Sequence, residues 1–307
     1  MTQIISTGFS VQASNGDLDG LADQLDRMMA MGCTGAEISA VGLNAVTDCR
    51  LVPERVAALK AITKPRPLTL SVHAPIAINL MDEMHADLMQ AAASASFELA
   101  AEIGAGAVVL HPGRCHPKDW AEGETRLIQF ELDQLGSVAD RAAELGVQIA
   151  YENLSPNRKV IAGTETSYAM DPSLLADQLK RLGHDAVMAC LDISHAQQGA
   201  GMRGFDMIAA CTALAPWIGH IHFSDSTGIP ATFPWDNDGE RQFFGVGDMH
   251  APPGYGRVDF AALERALTVR QGTRLVIELK GMFMGHAADE TLAGAQDLAA
   301  SVNARMT

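Results

Sequence analysis

The chain has 307 residues and a formal net charge of −15, with 48% hydrophobic and only 5% aromatic residues. A single α/β barrel can be this long, and small aliphatic side chains suit its helix–sheet packing better than they suit an all-β core. The acidic balance disfavours nucleic acid as a partner, because proteins usually meet phosphate backbones with lysine and arginine.

Short apolar runs, rich in β-branched or aliphatic residues, recur eight times along the chain. Such runs are typical of strands buried in a parallel sheet, and most of them end in polar residues or in glycine or proline. The predicted strands are residues 4–10, 36–41, 68–74, 107–113, 147–153, 186–192, 218–224 and 274–280.

Between these runs, apolar residues recur at spacings of three or four, as they do on one face of a helix. Gly104 and Gly146 each end such a stretch, and Asp171 is placed to cap the start of another. The predicted helices include residues 83–104, 124–145, 172–183 and 287–303. Strands that alternate with helices in this way predict a (β/α)₈ TIM barrel, with residues 1–307 as one domain.

Residues 225–256 form one long irregular stretch rich in aspartate, glycine and proline. A loop of this length in a compact domain is usually functional, so we expect it to lie over the barrel mouth. Two interpretations of its aromatic residues stay open: they select the substrate over the pocket, or they pack a lid or a subunit contact. These residues are Phe233, Trp235, Phe243 and Phe244.

Several motifs are absent from the sequence. No glycine-rich dinucleotide or Walker pattern is present, so nothing indicates nucleotide binding. The five cysteines form no Cys-x-x-Cys pair, the start lacks a secretion-signal pattern, and no run approaches the roughly 18 apolar residues of a membrane span. We therefore predict a cytoplasmic protein with reduced thiols and no membrane partner, and leave homo-oligomerisation open.

The carboxyl ends of the strands face the active site in a TIM barrel, so polar residues there are candidates for chemistry. A lone histidine at such a position is more often structural, but a buried carboxylate such as Glu152 or Glu278 needs a cation or a proton. Together the nitrogen and oxygen donors predict one to three divalent ions, with Zn, Mn, Fe, Co or Mg as the metal. The candidates at these strand ends and in the long loop are His73, His111, Glu152, Asp192, His195, His220, His222, Asp225, Asp248, His250 and Glu278.

Some residues near these strand ends are candidates for contact with a small-molecule substrate. They are Lys280, His220, which lies on the same strand face as His222, and Trp235 in the long loop. Glu37 on the second strand is expected either near the site or as a structural partner.

The ordered set of motifs from about residue 68 to residue 280 resembles the xylose-isomerase-like barrel superfamily. That superfamily contains sugar and sugar-phosphate isomerases and epimerases, and also abasic-site nucleases of the endonuclease IV type. The motifs are HAPIAINL (73–80), VVLHPG (108–113), YENL (151–154), LDISHA (191–196), HFSDS (222–226), DMHAPPGYGRVDF (248–260) and VIELK (276–280).

The two branches imply different metal sites. The isomerase branch implies one metal, held here by Glu152, Asp192, His222 and Glu278. The nuclease branch implies three: that same set, a second group of His73 and His111 with Glu152, and a third of His195, Asp248 and His250. All nine positions are present.

The binding surface departs from the nuclease pattern. Ile76 replaces an aromatic residue, and the segment after the second strand offers only Arg50, at its far end. We therefore expect an isomerase or epimerase of a small sugar, sugar phosphate or related polyhydroxylated compound. Glu152 and Glu278 would transfer the proton through a metal-stabilised enediolate. The alternative is a multinuclear metal-dependent hydrolase of a phosphoester, with DNA disfavoured as its substrate.

Overall fold

Eight parallel strands close into a barrel in this computed structural model, which describes residues 3–232 and 235–306. The barrel strands are β1 (Ile4–Val11), β2 (Gly35–Ser39), β5 (Thr69–His73), β6 (Ala107–Leu110), β7 (Gln148–Glu152), β8 (Val187–Asp192), β9 (Ile218–Phe223) and β10 (Thr273–Ile277). Each neighbours the next around the ring, and β1 pairs with both β2 and β10. The predicted single-domain TIM barrel and all eight of its strands are therefore confirmed.

Helices surround this barrel. They are α1 (Leu18–Ala30), α2 (Pro53–Thr63), α3 (Ala86–Ile103), α4 (Pro117–Glu144), α5 (Arg158–Ile161), α6 (Pro172–Leu182), α7 (Ile193–Arg203), α8 (Met207–Leu214), α9 (Asp238–Phe244), α10 (Phe260–Ala266) and α11 (Gly281–Arg305). Short 3₁₀ turns cover Tyr168–Met170 and Ala215–Trp217. In the described chain, no helix is both long enough and apolar enough to cross a membrane.

The predicted helix ends are found where the local chemistry places them. Gly104 takes the left-handed backbone that ends α3, with φ of 78°, and Asp171 caps α6 by accepting a hydrogen bond from Ser173 N. The prediction that α4 begins at residue 124 missed its first turns. Gly123 is non-helical, with φ of −152°, and the helix kinks there before the apolar periodicity starts.

Burial on both faces explains the continuous apolar runs of the strands. Every residue of β6, β8 and β9 is buried, as expected where helices cover a parallel sheet. At Gly8, the close approach of β1 and β2 leaves no room for a side chain, because an added Cβ would lie 1.7 Å from the carbonyl oxygen of Gly35.

The two ends of the described chain are held together. Asn303 on α11 accepts hydrogen bonds from the backbone N–H groups of Gln3 and Ile4, at 3.0 and 2.8 Å. Its amide donates back to the Ile4 carbonyl at 3.0 Å. The last helix therefore fixes the start of β1 next to β10.

The long loop after β9 contains more structure than was predicted. Its middle forms α9, which begins at an Asn237 cap, so the expectation of a wholly irregular stretch was wrong there. Asp225 organises the rest of the loop. The residue is 1% exposed, and its carboxylate accepts hydrogen bonds from four backbone N–H groups. The four donors are those of Ser226, Gly254, Gly256 and Val258.

Two short strands were not predicted. β3 (Val46–Thr47) and β4 (Arg50–Leu51) pair as an antiparallel hairpin between β2 and α2. Asp48 and Cys49 at its turn both have positive φ, 52° and 53°. Two consecutive left-handed residues are typical of a tight hairpin turn, although neither of them is glycine.

Candidate metal and active site

The ends of four strands bring one cluster of acidic and imidazole side chains together. The ligand atoms of Glu152, Asp192, His222 and Glu278 all lie within 4.8 Å of one another. Nδ1 of His222 stands at the centre, 3.0 Å from Oε1 of Glu152, 3.7 Å from Oδ2 of Asp192 and 3.4 Å from Oε2 of Glu278. This set corresponds to the single-metal core that the family resemblance implies.

A second cluster adjoins the first through Glu152. Oε2 of that carboxylate lies 2.9 Å from Nε2 of His111 and 3.5 Å from Nε2 of His73. The three ligand atoms again lie within 4.8 Å of one another.

A third cluster adjoins the first through Asp192, whose ligand atom groups with those of His195 and His250. Asp248, the predicted third member, lies beside them. Its carboxylate is 3.5 Å from Nε2 of His195 and 2.9 Å from Nε2 of His250. All nine predicted ligand residues therefore converge at one end of the barrel.

These donor atoms approach one another without pairing fully. Oε2 of Glu152, Oδ2 of Asp192 and Nε2 of His250 are buried and have no aligned hydrogen-bond partner. An unsatisfied buried carboxylate oxygen is costly, and a divalent cation is the group that such oxygen and nitrogen atoms would satisfy. The donor set therefore fits a metal ion.

The pKa values of His73 and His195 show the same demand for positive charge. Burial alone would lower the pKa of His73, but Glu152, followed by Glu37 and Glu278, raises it to about 9. Burial likewise opposes protonation of His195, yet Asp192 and Asp248 raise its pKa to about 10. The negative charge of these carboxylates is balanced here by protons on the imidazoles. A bound metal ion would supply the positive charge instead and displace those protons.

Glu37 lies beneath the cluster and supports it. It is fully buried, and its carboxylate lies 3.0 Å from Nε2 of both His222 and His220 and accepts a 2.9 Å hydrogen bond from Ser71. Burial would raise the pKa of Glu37, but His222 and His220 hold it well below its usual value. The structure thus places Glu37 directly behind His222, a predicted metal ligand, where it fixes the orientation of the ring.

A cavity of about 730 Å³ opens above the cluster. Among the described residues that line it, uncharged hydrogen-bonding side chains predominate outside the cluster itself: Ser10, Gln12, Gln24, Ser39, Ser155 and Asn157. Two cations, Arg114 and Lys280, also face it, and Ile76 stands at its edge. This volume suits a small-molecule substrate.

Two predicted substrate contacts are placed elsewhere. His220 is fully buried and does not line the cavity; it contacts Glu37. Trp235 does not line it either, and its ring lies 4.8 Å below the Arg158 guanidinium. Phe243 of the long loop is 85% exposed, and Phe233 lies outside the described residues. Of the three predicted contacts, only Lys280 faces the cavity.

Sequence reasoning did not single out Arg114, and it placed Asp225 at a strand end without a role. Arg114 lines the cavity, with a guanidinium nitrogen 3.0 Å from Nδ1 of His111. Its position three residues after a strand-end histidine was the available signal. Asp225 follows β9 directly, but only the folded loop shows that its bonds run to residues 254–258.

Comparison with solved structures gives the same architecture at low sequence identity. A D-tagatose 3-epimerase-like protein is 18% identical, with a TM-score of 0.68 over 98% of this chain and 100% of that one. The TTHB071 protein from Thermus thermophilus, soaked with ZnCl₂, is 22% identical, with a TM-score of 0.65 over 96% and 98%. Endonuclease IV from the same organism is 19% identical, with a TM-score of 0.60 over 96% and 98%.

At these identities the structural likeness shows the fold alone. A search of curated proteins found no match. A family model described as xylose isomerase-like TIM barrel matches residues 25–300, most of the chain. The predicted resemblance is confirmed: this chain belongs to the xylose isomerase-like TIM barrel family.

Proposed function

We propose that this protein is a metal-dependent isomerase or epimerase of a small polyhydroxylated compound, such as a sugar or sugar phosphate. The observation that carries the proposal is the contrast between the floor and the walls of the cavity. The floor is a cluster of carboxylates and imidazoles, whereas hydroxyl and amide groups are the commonest side-chain groups in the walls. Neutral donors and acceptors of this kind match the hydroxyl groups of a polyol.

Glu152, Asp192, His222 and Glu278 would hold the ion, because their ligand atoms converge and two of the carboxylates carry unsatisfied buried oxygens. The donor set suits Zn, Mn, Fe, Co or Mg. A divalent cation bound there would supply Lewis-acid stabilisation to the oxygen that gains charge during the reaction.

Glu152 and Glu278 would move the proton. Their carboxylates approach the same nitrogen of His222, at 3.0 and 3.4 Å, from different strands. One carboxylate would take a proton from the carbon beside the substrate carbonyl, and the other would return a proton to the opposite face or to the neighbouring carbon. Glu278 is 15% exposed at the side-chain level and Glu152 only 1%, so Glu278 is the more accessible to substrate.

Lys280 would contact a substrate oxygen or phosphate, since it faces the same cavity. Its backbone N–H donates to the His250 carbonyl at 3.1 Å, which fixes the start of α11 beside the site. His220 would act on the reaction only through Glu37. We also propose a small molecule, and not nucleic acid, as the partner, because the net charge is −15.

The test is proton exchange with solvent. Protein loaded with Mn²⁺, Co²⁺ or Zn²⁺ is incubated in D₂O with a panel of ketoses, aldoses and their phosphates, and deuterium at the carbon beside the carbonyl is followed by NMR. We expect incorporation, and we expect Glu278→Gln to abolish it while Glu290→Gln, on the surface of α11, leaves it intact. Exchange that persisted in Glu278→Gln would contradict the assignment.

A metal-dependent hydrolase of a phosphoester is the second candidate. The observation that favours it is the presence of two further clusters, which share Glu152 and Asp192 with the first. Several ions held there would suit a hydrolytic reaction. His250→Ala separates the candidates: a single-ion enzyme keeps its ion and most turnover, whereas a multinuclear enzyme loses one ion and nearly all turnover.

A further inference from the structure

Arg114 introduces a positive charge behind one imidazole of the site. A terminal guanidinium nitrogen of Arg114 donates a hydrogen bond to Nδ1 of His111 at 3.0 Å. The backbone N–H and carbonyl of Arg114 are both held by the side-chain amide of Asn79, at 3.0 and 2.8 Å, which fixes this residue. Its side chain is 22% exposed, so the contact is mostly shielded from water.

A histidine that ligates a metal through one ring nitrogen almost always donates a hydrogen bond from the other nitrogen, to a protein acceptor or to water. The reason is that the neutral ring carries its proton there, and this outer partner sets the tautomer. Three histidines of the site satisfy the rule. Nδ1 of His73 faces the Ala74 carbonyl at 2.8 Å, Nδ1 of His195 faces the Asn153 carbonyl at 2.9 Å, and Nε2 of His222 faces Glu37 at 3.0 Å.

His111 has the opposite environment. The guanidinium is a donor without acceptor capacity, so Nδ1 must offer its lone pair. A neutral His111 therefore carries its proton on Nε2, which is the nitrogen that faces Glu152 at 2.9 Å. A protonated nitrogen has no lone pair for a metal, and a shift of that proton to Nδ1 would set two donors against each other.

We propose that Arg114 closes the His73–His111–Glu152 cluster to a metal ion, so that this chain keeps the ligands of a further metal site without using them as one. His111 instead keeps its proton on the nitrogen nearest Glu152, 2.9 Å away but without an aligned hydrogen bond, so that Oε2 of Glu152 still lacks a partner and is left to the cluster formed with His222. The inference deepens the proposed function and rests on it only for the ion held by Glu152, Asp192, His222 and Glu278. Arg114 thereby favours an active site with one or two metal ions over one with three.

Removal of the guanidinium should open the cluster. In Arg114→Gln, the amide oxygen can accept a hydrogen bond from Nδ1, so Nε2 is free to bind a metal. The partner carboxylate of Arg114, Glu165, stays satisfied in this variant. It still accepts from Asn157 at 2.7 Å and lies 3.7 Å from the Lys159 ammonium. The variant should therefore fold.

The experiment counts Co²⁺ ions per chain by elemental analysis after dialysis against metal-free buffer, with the visible absorption of bound Co²⁺ as a second readout. We expect Arg114→Gln to bind one more ion per chain than the parent, and His111→Ala in that background to remove it. His111→Ala alone should leave the ion count of the parent unchanged. Arg126→Gln, which removes a surface arginine paired with Glu83, is the matched control.

Loss of an ion on His111→Ala in the otherwise unchanged protein would overturn the proposal, and so would an Arg114→Gln protein that gains no ion. Arg114→Met, which removes the donor without adding an acceptor, is the second variant should Arg114→Gln not fold. None of these counts requires turnover. Failure of the proposed sugar chemistry would therefore leave the ion counts as predicted, and the two ideas can fail separately.

Discussion

Asp225 offers the most direct quantitative test of how the long loop positions the site. Oδ1 of its carboxylate accepts from the N–H groups of Ser226 and Val258, at 2.7 and 3.2 Å, and Oδ2 accepts from those of Gly254 and Gly256, at 2.8 and 2.9 Å. Asp225→Asn replaces one of these oxygens with an NH₂ group. Two backbone donors then face another donor, in whichever orientation the amide takes.

An unsatisfied buried donor costs about 1–3 kcal/mol. The amide should turn its NH₂ group towards the two glycines, because Gly254 is exposed and Gly256 is half-buried whereas Ser226 is buried. We therefore take the lower half of that range, about 2–4 kcal/mol for the pair. This is smaller than the usual total stability of about 5–15 kcal/mol. We therefore expect the loop to open locally while the barrel stays folded, at about thirtyfold or more above its native opening frequency.

Hydrogen exchange measured by mass spectrometry checks this result. The amide of Ala251, which donates to the Asp225 carbonyl at 3.0 Å, should lose protection by that factor, and activity that depends on His250 should fall with it. The control is Asp259→Asn. Asp259 caps α10 by accepting one hydrogen bond from Ala262 N, and asparagine caps a helix as well as aspartate does. Equal exchange in the parent and in Asp225→Asn would refute the reasoning.

Four further predictions follow from the same structure. Glu37→Gln should weaken metal binding about 10- to 100-fold, as loss of an outer partner of a ligand histidine typically does, whereas Ser71→Ala should change it far less; chelator competition measures both. Burial raises the pKa of Glu131, so its stabilising contribution is complete below its unfolded pKa of about 4.3 and is lost as the pH rises through its folded pKa. The free energy of unfolding, measured with urea, should therefore fall less in Glu131→Gln than in the parent as the pH rises from 4 to 7, and equal decreases would count against the burial argument. Chelator treatment should lower Tm by roughly 5 °C relative to protein with metal at a hundredfold above Kd, and added Mn²⁺ or Zn²⁺ should restore it; an unchanged Tm would argue against a metal in the cluster. Lys280→Ala should raise KM for a phosphorylated or polyhydroxylated substrate with little change in kcat, and a fall in kcat alone would contradict a binding role.

The fold was predictable because most barrel-strand residues are buried, on both faces of the sheet, and each apolar run is followed by a clear break. The site was predictable for a related reason: parallel strands in a barrel all point their carboxyl ends the same way. A residue at the end of a predicted strand, such as Glu152 or Asp192, is therefore assigned to the active-site end without any knowledge of the register.

The sequence did not show in the same way which of two residues on the same face of a strand reaches the site. The alternation of His220 and His222 shows that both point to one face, but only the register between β9 and its neighbours shows which of them reaches the site. Here Arg274 and Val276 on β10 pair with His220 and His222, and Glu37 from β2 lies against both imidazoles. Because that register depends on the closure of the whole ring, no local pattern reveals that Glu37 supports His222 from below.

Contacts between a strand end and a loop distant in sequence were not predictable from the sequence either. Asp225 reaches N–H groups about thirty residues later in the chain, and short-range patterns do not indicate partners at that distance. Arg114 is the converse case, because its partner His111 is only three residues away. What the sequence could not show there was the direction of the guanidinium, which turns back towards the ring.

The hydrogen bonds of Asn303 have a consequence for how the protein is made. β1 is synthesised before the other barrel strands, yet one of its two neighbours in the ring is β10. The side chain that holds the start of β1, Asn303, comes 299 positions after Ile4 and 300 after Gln3. During translation one edge of β1 therefore stays unpaired until β10 (Thr273–Ile277) has left the ribosome. Unpaired strand edges are sites at which partly folded chains aggregate. Removal of the last turn of α11 should therefore reduce the yield of correctly closed barrels more than it reduces the activity of those that close.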